Sequence, residues 1–365
     1  MRFPALASLL APFWLLGLAA PAFAQGSLNV YNWSDYIAEN ELRDFEKDTG
    51  IDVNYTTYES NEVLDSRIRT GRSGYDIVVP SITPFFVRQR QAGLFQPLDR
   101  ARLRRLNNLD PEIMAVLAKF DPGNAYAIPW MWGTTGIGYN VAEIKKRMPD
   151  APVDSLRMIF DPAVVAKFKD CGVTMVDSAA DVFPAALNYL GLDPDSQSSE
   201  DLVKAADVVR AVRPFISNFD SSDTIDPLAD GDVCLAFGYS GDISQARARA
   251  AKAKDKLDIA YVLPKEGSMI WIDVLVLLKE APNVDNAYRF LNFMLDPRVV
   301  AASSEVTGYA NANKAATALM PKSITGNPSI YPPPEVRSKF YTVSPGTADQ
   351  VRERARLWTA MKAGR

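Results

Sequence analysis

From Leu28 to Gly93 the chain alternates runs that read as strands with runs that read as helices, and no other feature constrains its fold as much. Leu28 and Val30 alternate with polar neighbours, as in a half-buried strand. Glu39 to Lys47 carries Leu42 and Phe45 three apart, and Gly50 follows as a helix stop. Ile51, Val53 and Tyr55 alternate again. Ser60 is a good N-cap for a helix through Val63, Leu64 and Ile68 that stops at Gly71. Tyr75 to Pro80 reads as a buried strand ending in Ser81, and Pro84 to Gly93 as a short helix. Strand, helix, strand, helix, strand is the rhythm of a parallel sheet covered by helices, so the fold class is α/β. In such sheets ligands sit beyond the carboxyl ends of strands. Trp33, Ser34, Asp35 and Tyr36 occupy one such position, and Ser81 another.

The stretch YAIPWMWGTTGIGYN, residues 126–140, is rich in Gly and β-branched residues and poor in charge, and reads as extended chain crossing to a second lobe. That lobe is expected to hold a strand at Val173–Val176, a helix at Asp181–Leu190, another at Asp201–Val212, and a strand at Asp232–Gly238 that leads into Tyr239 and Asp242. Ser244–Lys256 reads as a charged, solvated helix. Strands follow at Ile259–Leu263 and Ile270–Leu278, then helices at Val284–Leu295 and Gln350–Lys362. A chain this long exceeds one simple core and calls for two domains. Residues 25–135 with 255–308 are expected in the first lobe, and 136–254 with 309–365 in the second.

Residues 1–24 read as a signal peptide: Arg2, an apolar run from Ala5 to Ala20, then Ala22-Phe23-Ala24 as a cleavage site before Gln25. No cysteine stands immediately after the cleavage site, and no later apolar run is long enough to span a bilayer, so an exported, soluble, periplasmic protein is expected. Removing Arg2 leaves 39 basic residues (40 − 1) against 44 acidic ones. Such mild acidity disfavours nucleic acid as a partner and suits a cation. Cys171 and Cys234 are the only cysteines; in an oxidising compartment they form one disulfide or stay as two buried thiols. Histidine is absent, which removes the commonest general base and the usual imidazole metal ligand, and no metal or cofactor is expected.

The usual catalytic signatures are missing. Gly133 to Gly138 does not match a dinucleotide fingerprint, and Ser240 lacks both the spacing and the base of a nucleophile elbow. Asp181, Asp242 and Asp273 could serve as paired carboxylates of a hydrolase. What recurs instead is an acid close to an aromatic after a strand: Trp33 with Asp35, Tyr239 with Asp242, Trp271 with Asp273. Ser81 and Tyr309 hold similar positions. An aromatic cage with acidic ends suits an alkyl diammonium or longer polyamine. A charge-assisted hydrogen bond contributes roughly 1.5–3 kcal/mol and a desolvated cation–π contact about 2, so a few of each reach the about −8 kcal/mol of micromolar binding.

The segments VYNWSDYI (30–37), FEKDTGI (45–51), SNEVL (60–64), YDIVVPS (75–81), GLFQPLD (93–99), MWGTTGIGYN (131–140), LNYLG (187–191) and YANANKAAT (309–317) resemble the periplasmic putrescine/spermidine-binding proteins of polyamine ABC transporters, over essentially the whole mature chain. The resemblance implies a two-lobe periplasmic-binding-protein fold of type II. It implies that the lobes close on a polyamine and that the closed form, a monomer, docks on a membrane permease. The ligand contacts it implies are Trp33, Ser34, Asp35, Tyr36, Ser81, Asp181, Tyr239, Asp242, Trp271, Asp273 and Tyr309, and its second-lobe disulfide falls on Cys171 and Cys234. Asp181 stands where putrescine binders usually carry Glu, Tyr239 where Trp is common, and Trp271 where putrescine binders carry Phe and spermidine binders Trp. Ser34 follows the putrescine pattern. The mixture leans slightly to spermidine, with putrescine close behind. A polyamine sensor on the same fold and a secreted hydrolase are the alternatives.

Overall fold

The structure, a computed structural model, describes residues 26–221, 223–254 and 256–364; the expected signal peptide and Gln25 lie outside them. Strand β1 (Ser27–Trp33) pairs in parallel with β2 (Asp52–Tyr58) on one side and with β3 (Ile77–Val78) on the other. An antiparallel strand, β9 (Ser268–Leu277), follows β3 and pairs in turn with the first part of β4 (Ala127–Asn140). The period of two along these strands sorts the core. Leu28, Val30, Leu275 and Leu277 face one layer with Phe45 and Phe290, while Tyr31, Val78, Val274 and Val276 face the other with Leu64 and Phe86. Both faces of the sheet are therefore covered, as parallel strands require.

The connecting helices end where their sequence says they should. Glu39–Thr49 stops at Gly50, which takes a left-handed φ of 68° and returns its N–H to the Glu46 carbonyl. Ser60 caps the helix Asn61–Arg69 by accepting from the Val63 amide at 3.3 Å.

The second lobe is built on the same β4. Its first part pairs with β9 as far as Thr134, and from Thr135 onward it pairs with β7 (Leu235–Tyr239) and β8 (Ile259–Val262). Strand β5 (Val173–Met175) lies parallel to β7, with the short β6 (Asn218–Phe219) outside it. One strand thus belongs to two sheets, and the bond between Thr134 and Thr135 marks the passage.

Two lobe boundaries differ from the sequence expectation. Ile259–Val262 does not belong with the first lobe: it completes the second sheet beside β4, with Ile259 and Tyr261 packed on Ile243 and Ala246. Residues from Tyr309 to Val343 do not join the second lobe. Strand β10 (Ala310–Asn311) pairs with Trp132 and Met131, β11 (Phe340–Tyr341) pairs with β9, and Tyr309, Ala316, Met320 and Val343 fill the first core. The last helix, Ala348–Lys362, packs on the second lobe through Leu357, Trp358 and Met361, and Ser344 just before it donates to Asp195 there. The charged helix also begins earlier, at Ser240, and is not merely a solvated face, since Gly241, Ile243, Ser244 and Ala246 are buried.

Cys171 and Cys234 form a disulfide, with Cα atoms 5.5 Å apart and a sequence separation of 63. The bridge ties the chain just before β5 to the chain just before β7, inside the second lobe. Closing a loop of that length stabilises by about 4 kcal/mol on the chain-entropy account.

Candidate functional site

One cleft gathers all eleven residues singled out in the sequence: Trp33, Ser34, Asp35, Tyr36, Ser81, Asp181, Tyr239, Asp242, Trp271, Asp273 and Tyr309. Trp33 to Tyr36 leave the end of β1, Ser81 follows β3, Tyr239 ends β7 and Asp242 follows it. Asp35 takes a left-handed φ of 51°, a conformation that Asp tolerates better than most residues. Ser34 and Asp35 are exposed, whereas Tyr36 points inward and is buried. Trp271 and Asp273 correct the expectation of a strand-end pair. They lie two apart in the middle of β9, on one face of the strand.

The three inner carboxylates are held differently. Asp273, 3% exposed, accepts from Ser81 Oγ at 2.6 Å and from the Tyr36 hydroxyl at 2.7 Å. Asp181, 6% exposed, accepts from Thr135 Oγ1 at 2.9 Å and from the Tyr239 hydroxyl at 3.4 Å, which ties it to the strand that joins the lobes. Asp242, half-buried in the first turn of its helix, accepts from the Tyr309 hydroxyl at 2.5 Å, and Tyr309 comes from the first lobe. Burial pushes the Asp242 and Asp273 carboxyls up to about 7 and raises Asp181 as well; the hydrogen bonds to each act in the opposite direction.

Between the acids runs a chain of rings. Tyr36 meets Tyr309 with centroids 5.4 Å apart, Tyr309 meets Trp271 at 5.0 Å, and Trp271 meets Tyr239 at 5.7 Å, all edge to face. Such contacts fix the rings without consuming all of their faces. Gly241 makes the approach of Tyr309 possible, since a Cβ there would collide with the Tyr309 ring. Trp33 is held as a wall by its indole N–H, which donates to the Val79 carbonyl at 2.9 Å.

Charge decides what this cleft can hold. Its lining includes Asp35, Glu59, Asp181, Asp242 and Asp273, and none of the described residues that line it is Lys or Arg. A buried carboxylate without a counter-ion is costly, so the site is complementary to a cation with apolar stretches between its charges.

Residues 42–331 match the family described as bacterial extracellular solute-binding proteins. The chain belongs to that family. It is 46% identical to the putrescine-binding periplasmic protein PotF of Escherichia coli K12, over 96% of this chain and 98% of that one. It is 44% identical to the putrescine-binding periplasmic protein SpuD of Pseudomonas aeruginosa, over 93% and 92% of the two chains. A solved Listeria monocytogenes structure, described as a spermidine/putrescine ABC transporter protein, superposes with a TM-score of 0.83 at 32% identity, covering 93% of this chain and 99% of that one.

In this solute-binding protein the sequence reading missed three cleft residues that a simple rule would have found. Tyr58 closes β2, and Glu59 and Asn61 follow it, so they sit at a third strand end beside those of β1 and β3. Thr135 was hidden for another reason: its contact with Asp181 exists only because β4 changes partners there.

Proposed function

We propose that this solute-binding protein captures a protonated polyamine in the periplasm, by closure of its two lobes, and delivers it as a monomer to the permease of an ABC transporter. The observation that carries the reading is the set of three inner carboxylates, spaced along a row of aromatic rings in a cleft whose described lining offers no basic side chain. Each ammonium meets an acid, and the methylenes between them lie against the faces of Trp33, Trp271, Tyr309 and Tyr239. The family relatives support it, since those named above are described as binding putrescine or as part of spermidine/putrescine transport. Asp273 belongs to the first lobe, Asp181 and Asp242 to the second, so a ligand that spans them draws the lobes together. A diamine and a triamine both meet this requirement.

Closure has a direct readout. Small-angle scattering of protein stripped of carried-over ligand is expected to show a smaller radius of gyration when putrescine or spermidine is added. A radius that stays the same at saturating concentrations of both would overturn capture by closure.

A further inference from the structure

We propose that Asn61 is a positioning residue for the cation site, acting through Ser81 on Asp273. The proposal rests on the polyamine reading of the cleft and assigns a role to the SNEVL segment that the ligand contacts leave unexplained. Asn61 Nδ2 donates to Ser81 Oγ at 2.9 Å, and Asn61 Oδ1 accepts from the Ser81 backbone amide at 3.0 Å. The second bond fixes the orientation of the amide, because a flipped group would face one N–H with another. With its oxygen already accepting from Asn61, the Ser81 hydroxyl turns its one proton to Asp273 Oδ1, 2.6 Å away.

A second feature of the fold points the same way. Ser81 stands at the N-cap of the turn Ile82–Phe86, where a serine side chain ordinarily accepts from a backbone amide, yet here it makes no such bond. Its hydroxyl is committed to the cleft. Asn61, for its part, is free of capping duty, because Ser60 caps the helix that Asn61 begins. The result is a relay, Asn61 to Ser81 to Asp273, completed from the other side by Tyr36. All four residues lie in the first lobe, so the carboxylate is oriented and supplied with donors before the second lobe arrives. An oriented carboxylate leaves its remaining lone pairs aimed at the cleft, which lowers the ordering demanded of the ligand.

The test is a double-mutant cycle on affinity for putrescine and spermidine, with Asn61→Ala, Ser81→Ala and the pair. Asn61→Ala is expected to weaken binding by about three- to tenfold, and to add little in a chain that already carries Ser81→Ala. It is also expected to move the pH midpoint of binding upward, because losing the Ser81 proton makes the charged form of Asp273 harder to sustain. The groups facing Asp273 (Tyr36, Tyr58, Tyr239, Tyr309 and Asp181) remain in place in this variant. Asn61→Ser, with a small polar side chain at the same helix start, gives the same comparison if the alanine variant is unstable. Wild-type affinity and an unmoved midpoint in Asn61→Ala, or additive losses in the pair, would overturn the positioning role. Wild-type protein that binds neither polyamine would instead overturn the reading on which it rests.

Discussion

Replacing Asp273 by Asn is expected to raise the Kd for putrescine and for spermidine by about 10- to 150-fold, the loss of one charge-assisted hydrogen bond of roughly 1.5–3 kcal/mol. The substitution keeps the shape of the side chain, and Ser81 can still donate to its carbonyl oxygen. What disappears is the negative charge at the centre of the first-lobe half of the cleft. The free protein should lose no stability, because the carboxylate is buried near Asp181 with no basic side chain among the described residues of the cleft, and its removal relieves a cost. Opposite signs for binding and stability are the mark of a charge kept for a ligand and not for the fold. Asp242→Asn should behave in the same way, since the Tyr309 hydroxyl that donates to it reaches across from the other lobe. Asp35→Asn should have a smaller effect, because Asp35 is exposed and its charge is screened. Titration calorimetry and thermal unfolding of the three variants check this; unchanged affinity in both Asp242→Asn and Asp273→Asn would mean that the cation sits elsewhere.

Affinity is also expected to fall steeply with acid. Burial in the cleft raises Asp242 and Asp273 to about 7, above the ordinary aspartate range, and an ammonium beside each favours the ionised form. Each of them must therefore lose a proton on binding when the pH is below about 7. The apparent Kd should rise about tenfold per pH unit for each carboxylate, or about a hundredfold per unit for the two together. The amines of the ligand stay protonated throughout this range, as the lysine reference value of about 10.4 indicates. The sign for stability is the reverse. A carboxyl whose folded value is raised favours the folded state fully below its unfolded value, and that contribution is lost as the pH rises through about 7. Ligand-free protein should thus be progressively destabilised by these groups between about pH 4 and about pH 8, and the rise in Tm on adding polyamine should grow over the same interval. Calorimetry at about pH 6, 7 and 8, in buffers of different ionisation enthalpy, measures the Kd and the protons released. A Kd that does not change with pH, with heat independent of buffer, would contradict a site of buried carboxylates.

Much of this site was legible in the sequence because strand ends are legible. The apolar runs Leu28–Val30 and Tyr75–Pro80 fix where two parallel strands stop, and the residues just beyond each strand face the cleft. Trp271 and Asp273 were found as a pair, but their place was not, because β9 runs antiparallel to its neighbour and brings the middle of a strand to the cleft. The lobe boundaries were harder. Strand β4 is buried along all fourteen residues and changes partners at Thr135 with no change in composition, and β8 joins the second sheet by pairing with a segment far earlier in the chain. Asn61 follows a strand end and could be placed at the cleft, but its role could not be read. Its role is set by Ser81, 20 residues away, and by the direction of a single hydroxyl.

On this reading the cleft binds an organic polycation through its carboxylates. Calorimetry of protein unfolded, stripped and refolded, titrated with putrescine and spermidine and with the uncharged 1,4-butanediol, tests it most directly. Binding of one putrescine or one spermidine per chain with a Kd of about 1 μM or tighter, and no binding of the diol, is the predicted result. No heat with either polyamine, or equal affinity for the diol, would contradict it.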